Sequence, residues 1–296
     1  MTSFNWTYDG NGSKRVRTLL MEHGVTRTLL KKIKFHGGTI LVNGTDQRAN
    51  YMLDHGDVVE LTLPPEPNND SVPASFLPIN VVYEDEHFLV VNKPPFLATV
   101  PNHNYAGNTL VNRVKGYYLK HHYANLKIHV VTRLDKDTSG LVIFAKHHLA
   151  HSVLDKQLKQ HLIVKMYNAI VENRFDYNHG EIDLPIGRDE DSFVKRQVKD
   201  DGKPSKTEFW QLYSQAGLSL LRIKLHTGRT HQIRVHFAAI EHPLIGDWLY
   251  NPNNHEMKRQ ALHCYYLQFY NPFEKKSIIC RAPLPDDMQN LIWQKL

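Results

Sequence analysis

A mixture of strands and helices in two unequal parts is what this 296-residue sequence predicts. Short apolar runs bounded by turn residues, such as "LVIFA" after "RLDKDTSG", read as strands. They are interspersed with segments of helical period such as "HLAHSVLDKQLKQHLI". The stretch "LPPEPNNDSVPAS" (63–75), rich in Pro, Asn and Ser, reads as a linker. The expected division is a module over 1–63, a linker over 64–75 and a larger domain over 76–296, with ample material for a core.

In the first module, Val16, Leu19 and Leu20 repeat at helical spacing and Gly24 stops the helix. Thr26 reads as the N-cap of a second helix through Leu29, Leu30 and Ile33, ended by Gly37 and Gly38. "TILVNG" and "GDVVELTL" read as strands, the first closing in an Asn-Gly turn. Arg15, Arg17, Arg27, Lys31, Lys32 and Lys34 cluster on the helical pair. Such a basic face suits a nucleic-acid module; the bland alternative is a solvated helical face.

The larger part opens with a hairpin, "INVVYEDEHFLVVNKPP", and a helix carrying Leu110, Val111, Val114 and Tyr118. "LVIFA" follows as a buried strand, then a helix with Leu149, Val153, Leu154 and Leu158 in register. In the strand "VKMYNAIVE", period two puts Lys165, Tyr167 and Ala169 on one face. "LSLLRIKL" is another strand with "HTGR" as its exit turn. "THQIRVHFAAI" reads as a helix with Ile233, Phe237 and Ile240 on its apolar face. There His231 and Arg234, three apart, share a side.

The balance of 36 Lys and Arg against 30 Asp and Glu gives +6, which favours an anionic partner such as nucleic acid. Two cysteines, Cys264 and Cys280, without a CxxC pair, suggest a reducing compartment. The N-terminus lacks the apolar stretch of a signal peptide, and no apolar run approaches a membrane span. A cytoplasmic protein is the expectation.

Asp135 and Asp137 stand at the lip of the buried strand. A carboxylate beside an arginine can be held ionised as a nucleophile or base, with Arg133 near in sequence and Arg234 able to approach in space. The alternative is that both aspartates cap a turn; pattern alone does not choose between them. His226, His231 and His236 recur every five residues, which no helix or strand brings to one face, and H-E-x-x-H is absent, so no metal site is expected. The pairs His121/His122 and His147/His148 read as surface features. G-x-S-x-G, a phosphate loop and G-x-G-x-x-G are all missing, and nothing asks for a nucleotide cofactor.

"RLDKDTSGL" resembles the signature of the RluA-like family of RNA pseudouridine synthases. "VVYEDEHFLVVNKP", "KMYNAIV", "LPIGR", "DGKPSKTEF", "LHTGRTHQIRVHFAAIEHPLIGDWLY", "RQALHCYYLQF" and "RAPLP" resemble its other segments in family order, over roughly 79–285. The N-terminal segment resembles, more loosely, an S-four-like RNA-binding module. Three departures stand out: Thr132 where histidine is common, "NKPPFLATVPNH" without the usual glycine and His-Pro, and Ser205 where alanine is usual.

The resemblance implies an α+β pseudouridine synthase fold, a mixed, largely antiparallel sheet with flanking helices and a central cleft, preceded by the small α/β module. It implies an isomerase that detaches uracil from its ribose carbon, turns it and rejoins it through carbon. Asp135 would be the catalytic carboxylate, attacking the sugar or assisting a glycal intermediate. Arg234 would be its ion-pair partner and Tyr167 would lie by the base. Arg133, Lys165 and Arg229 would contact RNA, with Arg15, Arg27, Lys31 and Lys32 on the front module. No metal or organic cofactor is required, since bonds are redistributed within one nucleotide. Ribosomal RNA is the expected partner, transfer RNA the runner-up, and a monomer the default. Two other readings stay open: a non-enzymatic RNA-binding or ribosome-assembly factor, and a hydrolase using Asp135 and Asp137 on a glycosidic bond.

Overall fold

The structure, a computed structural model, describes residues 2–68, 70–101 and 107–295. In chain order the elements are β1 (Ser3–Thr7), β2 (Lys14–Arg15), α1 (Val16–Glu22), α2 (Arg27–Phe35), β3 (Thr39–Val42), β4 (Thr45–Asp46), β5 (Met52–Leu53) and β6 (Val58–Thr62). There follow β7 (Asn80–Glu84), β8 (Phe88–Lys93), α3 (Leu110–Lys120), β9 (His129–Val130), β10 (Ser139–Ala145), α4 (His148–Lys159), β11 (Val164–Glu172) and β12 (His179–Asp183). The last are β13 (Ile186–Arg188), β14 (Arg196–Val198), β15 (Lys206–Gln215), β16 (Leu218–Leu225), α5 (Gln232–Ala239), β17 (Leu262–Asn271), β18 (Lys276–Arg281) and α6 (Asp286–Lys295).

The first part is an antiparallel sheet in the order β1-β6-β3-β4, with α1 and α2 packed on it. The Thr26 hydroxyl caps α2 by accepting the Leu29 N–H at 3.2 Å. Asn43 and Gly44 both have positive φ, which is what a two-residue hairpin turn needs. The core beneath α1 and α2 takes in Leu149 and Val153 from α4, so the first part shares its core with the larger one. The helix-ending Gly24 lies so close to α4 that a Cβ there would come within 2.6 Å of Val153.

Among its described residues the Pro-rich connection has no helix or strand, yet it is strapped down. Glu66 accepts from the Asn125 amide and the His148 N–H at 2.9 Å each and pairs with His129 at 2.8 Å. Lys115 donates to Val72 O, and the Asn112 amide to Pro73 O, both at 2.7 Å.

The larger part holds a ten-stranded sheet on the path β12-β15-β16-β11-β17-β10-β8-β7, with β18 beside β17 and β9 beside β10. The β10–β17 pair is parallel and every other pairing in it is antiparallel, so this is the mixed, largely antiparallel α+β sheet that was expected. All seven residues of β10 are buried. Leu141, Ile143 and Ala145 face one core, while Val142 and Phe144 face a second under α3 with Leu110, Val114 and Tyr118. Cover on both faces is why "LVIFA" reads as an unbroken apolar run.

One expectation fails here. His147 is not a surface residue: it is 4% exposed, its Nδ1 accepts the Ala150 N–H to cap α4, and its Nε2 lies 3.0 Å from His87 Nδ1. A histidine can take the N-cap role through an unprotonated ring nitrogen, which composition does not reveal.

Candidate active site

Asp135 lies in the loop between β9 and β10, and that loop is fixed from three sides. The Thr99 hydroxyl donates to Leu134 O at 2.7 Å and accepts the Leu134 N–H at 3.2 Å. The wholly buried Lys93 donates to Pro94 O, Leu97 O and Lys136 O at 3.0, 2.8 and 3.0 Å. Burial lowers its ammonium to about 7, against the pull of Asp137 and Asp135. From below, Arg259 donates to Asp137 O, Gln260 O and Leu262 O at 3.3, 3.1 and 3.2 Å, with both oxygens of Asp287 on its other edge at 2.6 and 2.8 Å.

The residues after Asp137 are bonded in turn. The Gln260 amide donates to the Thr138 hydroxyl at 3.1 Å, and the Ser139 hydroxyl meets His263 Nδ1 at 2.9 Å. Gly140, at φ 117°, runs so near β17 that a Cβ would sit 2.3 Å from Cys264 O. The glycine of "DTSGL" is therefore the condition for β10 and β17 to start side by side.

Arg234 approaches from α5. Its Nε and Nη2 donate to the two oxygens of Asp247 at 2.6 and 2.7 Å, and its Nη1 reaches Asp135 Oδ2 at 3.3 Å. Asp247 has no exposure and also accepts the Leu249 and Tyr250 N–H groups at 3.1 Å each. The guanidinium is thus fixed in plane and aimed at the loop. The Tyr250 ring lies 5.0 Å below it. His231, the N-cap of α5, has a left-handed φ of 58°, with Nε2 3.8 Å from Asp135 Oδ2 and Nδ1 3.1 Å from the Tyr250 hydroxyl. Burial lowers its pKa although Asp135 pulls upward, so the ring is mainly neutral at pH 7.

Tyr167 enters from β11. The β11–β17 register skips Tyr265, pairing Met166 with Tyr266 and then Tyr167 with Cys264. Such a bulge re-aims a side chain, and here it lies beside the cleft. Tyr167 is 5% exposed, and burial pushes its phenol well up, so it stays protonated. Lys165, two residues earlier on the same face, has its ammonium lowered by burial.

An open cleft of about 110 Å³ gathers Arg133, Asp135, Lys165, Tyr167, Arg229 and Arg234. Six of the sequence-predicted residues thus meet in one place. Arg229 rests against Pro204 O at 3.1 Å. Arg15, Arg27, Lys31 and Lys32 lie outside the cleft, exposed on the first module, where the Lys32 ammonium sits 3.3 Å from His148 Nδ1. Asp137 contributes its backbone carbonyl to the Arg259 contact rather than a side chain to the cleft. Sequence reasoning missed Asp247, Tyr250, Lys93, Thr99 and Arg259. Asp247 and Tyr250 stood inside "GDWLY", but nothing local marks them as Arg234's partners.

Two departures from the family pattern turn inward. Thr132 is 5% exposed and accepts the Ile143 N–H at 3.1 Å; Ser205 is 1% exposed and donates to Lys203 O at 2.8 Å. The three histidines at five-residue spacing have separate partners, Glu208 for His226, Tyr250 for His231 and Thr207 for His236. Among the described residues, Glu181, Glu208 and His226 bring ligand atoms within 4.8 Å, a grouping the sequence did not suggest. Lys206 and Lys224 already lie 2.8 and 3.7 Å from those carboxylates. Among the described residues no helix is long and apolar enough to cross a membrane.

Residues 87–239 match the RNA pseudouridylate synthase family. A Bacillus subtilis protein named uncharacterized RNA pseudouridine synthase YjbO is 38% identical over 271 residues, 92% of this chain and 95% of its own. The ribosomal large subunit pseudouridine synthase D of Nitrosomonas europaea is 34% identical over 76% of this chain and 67% of its own. The solved structure of human RNA pseudouridylate synthase domain containing 1 overlays with a TM-score of 0.60 at 25% identity, covering 71% of this chain and 85% of that one. The chain belongs to the RNA pseudouridylate synthase family. It is accordingly an isomerase acting on RNA.

Proposed function

We propose that this chain converts uridine to pseudouridine in large-subunit ribosomal RNA, with Asp135 as the catalytic carboxylate. The N1–C1′ bond breaks, the uracil turns, a C5–C1′ bond forms, the proton on C5 leaves and N1 takes up a proton, so the product is an isomer. The observation that carries this reading is the Asp135–Arg234 contact at 3.3 Å, backed by the bidentate grip of the buried Asp247. It gives a carboxylate a fixed direction in a cleft whose other charged lining residues, Arg133, Lys165, Arg229 and Arg234, are cations. Tyr167 presents its ring to the uracil, and Arg133, Lys165 and Arg229 hold the backbone. Residues 1–63 act as an S-four-like module that grips RNA through Arg15, Arg27, Lys31 and Lys32, joined through 64–75 to the catalytic domain over 76–296. The large-subunit target is supported by the 34% identical Nitrosomonas europaea relative. The protein works as a monomer.

The test is tritium release from transcripts labelled at carbon five of uridine. Release from ribosomal and not transfer RNA is the expected result. Release from transfer RNA alone would move the substrate. Tight binding with no release would favour a binding protein, and free uracil would indicate a hydrolase.

A further inference from the structure

We propose that Phe96 stacks on a base of the RNA beside the target uridine and so helps to choose the substrate; this rests on the RNA-modifying reading above. Phe96 follows Pro95 in a turn and has φ 60°, while its side chain is 53% exposed. Both features are unfavourable for a phenylalanine. Bulky residues rarely adopt a left-handed backbone, and glycine or asparagine would satisfy such a corner without strain. The exposed ring also gains nothing from the core, although the next residue, Leu97, is buried. Strain of this kind persists where the surroundings over-determine it, and it gathers at functional sites.

The surroundings here are the catalytic loop itself. Lys93 bonds Pro94 O and Leu97 O on either side of Phe96 and Lys136 O one residue after Asp135. Thr99 bonds Leu134 one residue before Asp135. Phe96 therefore rides on the same rigid framework as the carboxylate. Arg133, exposed on the adjoining loop, offers charge to a phosphate, while Phe96 offers a flat apolar face. A cation for the backbone and an aromatic face for a base, carried on two loops tied together by Lys93 and Thr99, are the chemistry that recognises single-stranded RNA.

The experiment sets stability against binding. Phe96→Asn and Phe96→Gly should hold or raise the melting temperature, because the corner is relieved. The same variants should raise KM, and the equilibrium Kd, for the 5-tritiated ribosomal transcript about tenfold or more, with kcat changed less than twofold. Phe96→Trp should restore affinity. The salt dependence of Kd should keep its slope in Phe96→Asn, whereas Arg133→Ala should lower it by about one ion. Unchanged KM and Kd in Phe96→Asn, with wild-type turnover normal, would overturn the proposal and leave the activity intact. Weakened binding by Phe96→Asn, with no tritium released by wild type, would uphold the contact and sink the proposed activity. No RNA binding by wild type would overturn both.

Discussion

Arg234 and Arg259 are both buried, and each is held by both oxygens of one aspartate, yet they meet the catalytic loop differently. Arg234 extends its remaining nitrogen to the Asp135 carboxylate from a fully buried partner, Asp247. Arg259 extends its remaining nitrogen to three backbone carbonyls, from a partner, Asp287, whose side chain is 41% exposed. The first clamp addresses a charge and the second a shape. Arg234 shares its own charge between two aspartates, so its gift to Asp135 is direction as well as stabilisation. Among the described residues, the hydrogen bonds of Arg259 go to backbone carbonyls and to Asp287; it sets where the loop's backbone runs.

The largest effect should come from the first clamp. Arg234→Ala should lower kcat by about 10²–10³ while RNA affinity changes a few-fold at most. It should also cost about 3–5 kcal/mol of stability, because Asp247 is left buried and unpaired. Should the variant not fold, Arg234→Lys serves, since one ammonium cannot serve both aspartates in the fork geometry. Equal losses of rate and affinity would make Arg234 an RNA contact instead.

The second clamp should be milder in rate. Arg259→Ala strips donors from three carbonyls, each worth about 1–3 kcal/mol if left unsatisfied, and should slow turnover about tenfold through misplacement of the loop. Asp287→Asn should change the rate less than threefold, since its carboxylate already faces water. Single-turnover rates on folded protein would check this. A slowing by Arg259→Ala as deep as that of Arg234→Ala would erase the distinction between charge and shape.

An arginine clamp does not titrate near neutrality, so acid sensitivity should arise elsewhere. His147 is the strongest candidate, ahead of His263, whose pKa burial lowers to about 4. Burial, with His87 adding to it, lowers the pKa of His147 to about 3 from 6.5. Between these values the unfolded chain holds the proton and the folded chain does not, so stability falls as pH drops from about 6.5 to about 3, by up to about 1.4 kcal/mol per unit. His147→Asn keeps an N-cap oxygen and should flatten that slope in urea melts taken from pH 7 to 4. An unchanged slope would move the effect to another group.

Much of this was legible in the sequence, for physical reasons. β10 announces itself because both its faces are covered, and α2 because Thr26 caps it. The six cleft residues were found through local motifs, each of which sits on one element. The pairing of Asp135 with Arg234, 99 residues apart, came from the family resemblance rather than from any local pattern. Asp247 as the holder of Arg234, and Arg259, which lies 122 residues from Asp137, were not legible, because nothing local marks a contact between separate elements. Helical period showed that Leu149 and Val153 are apolar but not that they enter the core of the first module. β15, "KTEFWQLYSQ", was not read as a strand because eight of its ten residues are exposed or partly exposed and the alternation breaks near a bulge. "NKPPFLATVPNH" showed only a departure from the family pattern; the positive φ of Phe96 is visible only in the structure.

The most direct test of the central claim compares Asp135→Asn with Asp137→Asn in tritium release under single turnover, with RNA affinity measured beside it. The account predicts no release from Asp135→Asn with affinity within a few-fold of wild type. It predicts release within about tenfold of wild type from Asp137→Asn, whose contact to Arg259 is made by the backbone. Release that survives in Asp135→Asn and vanishes in Asp137→Asn would contradict it.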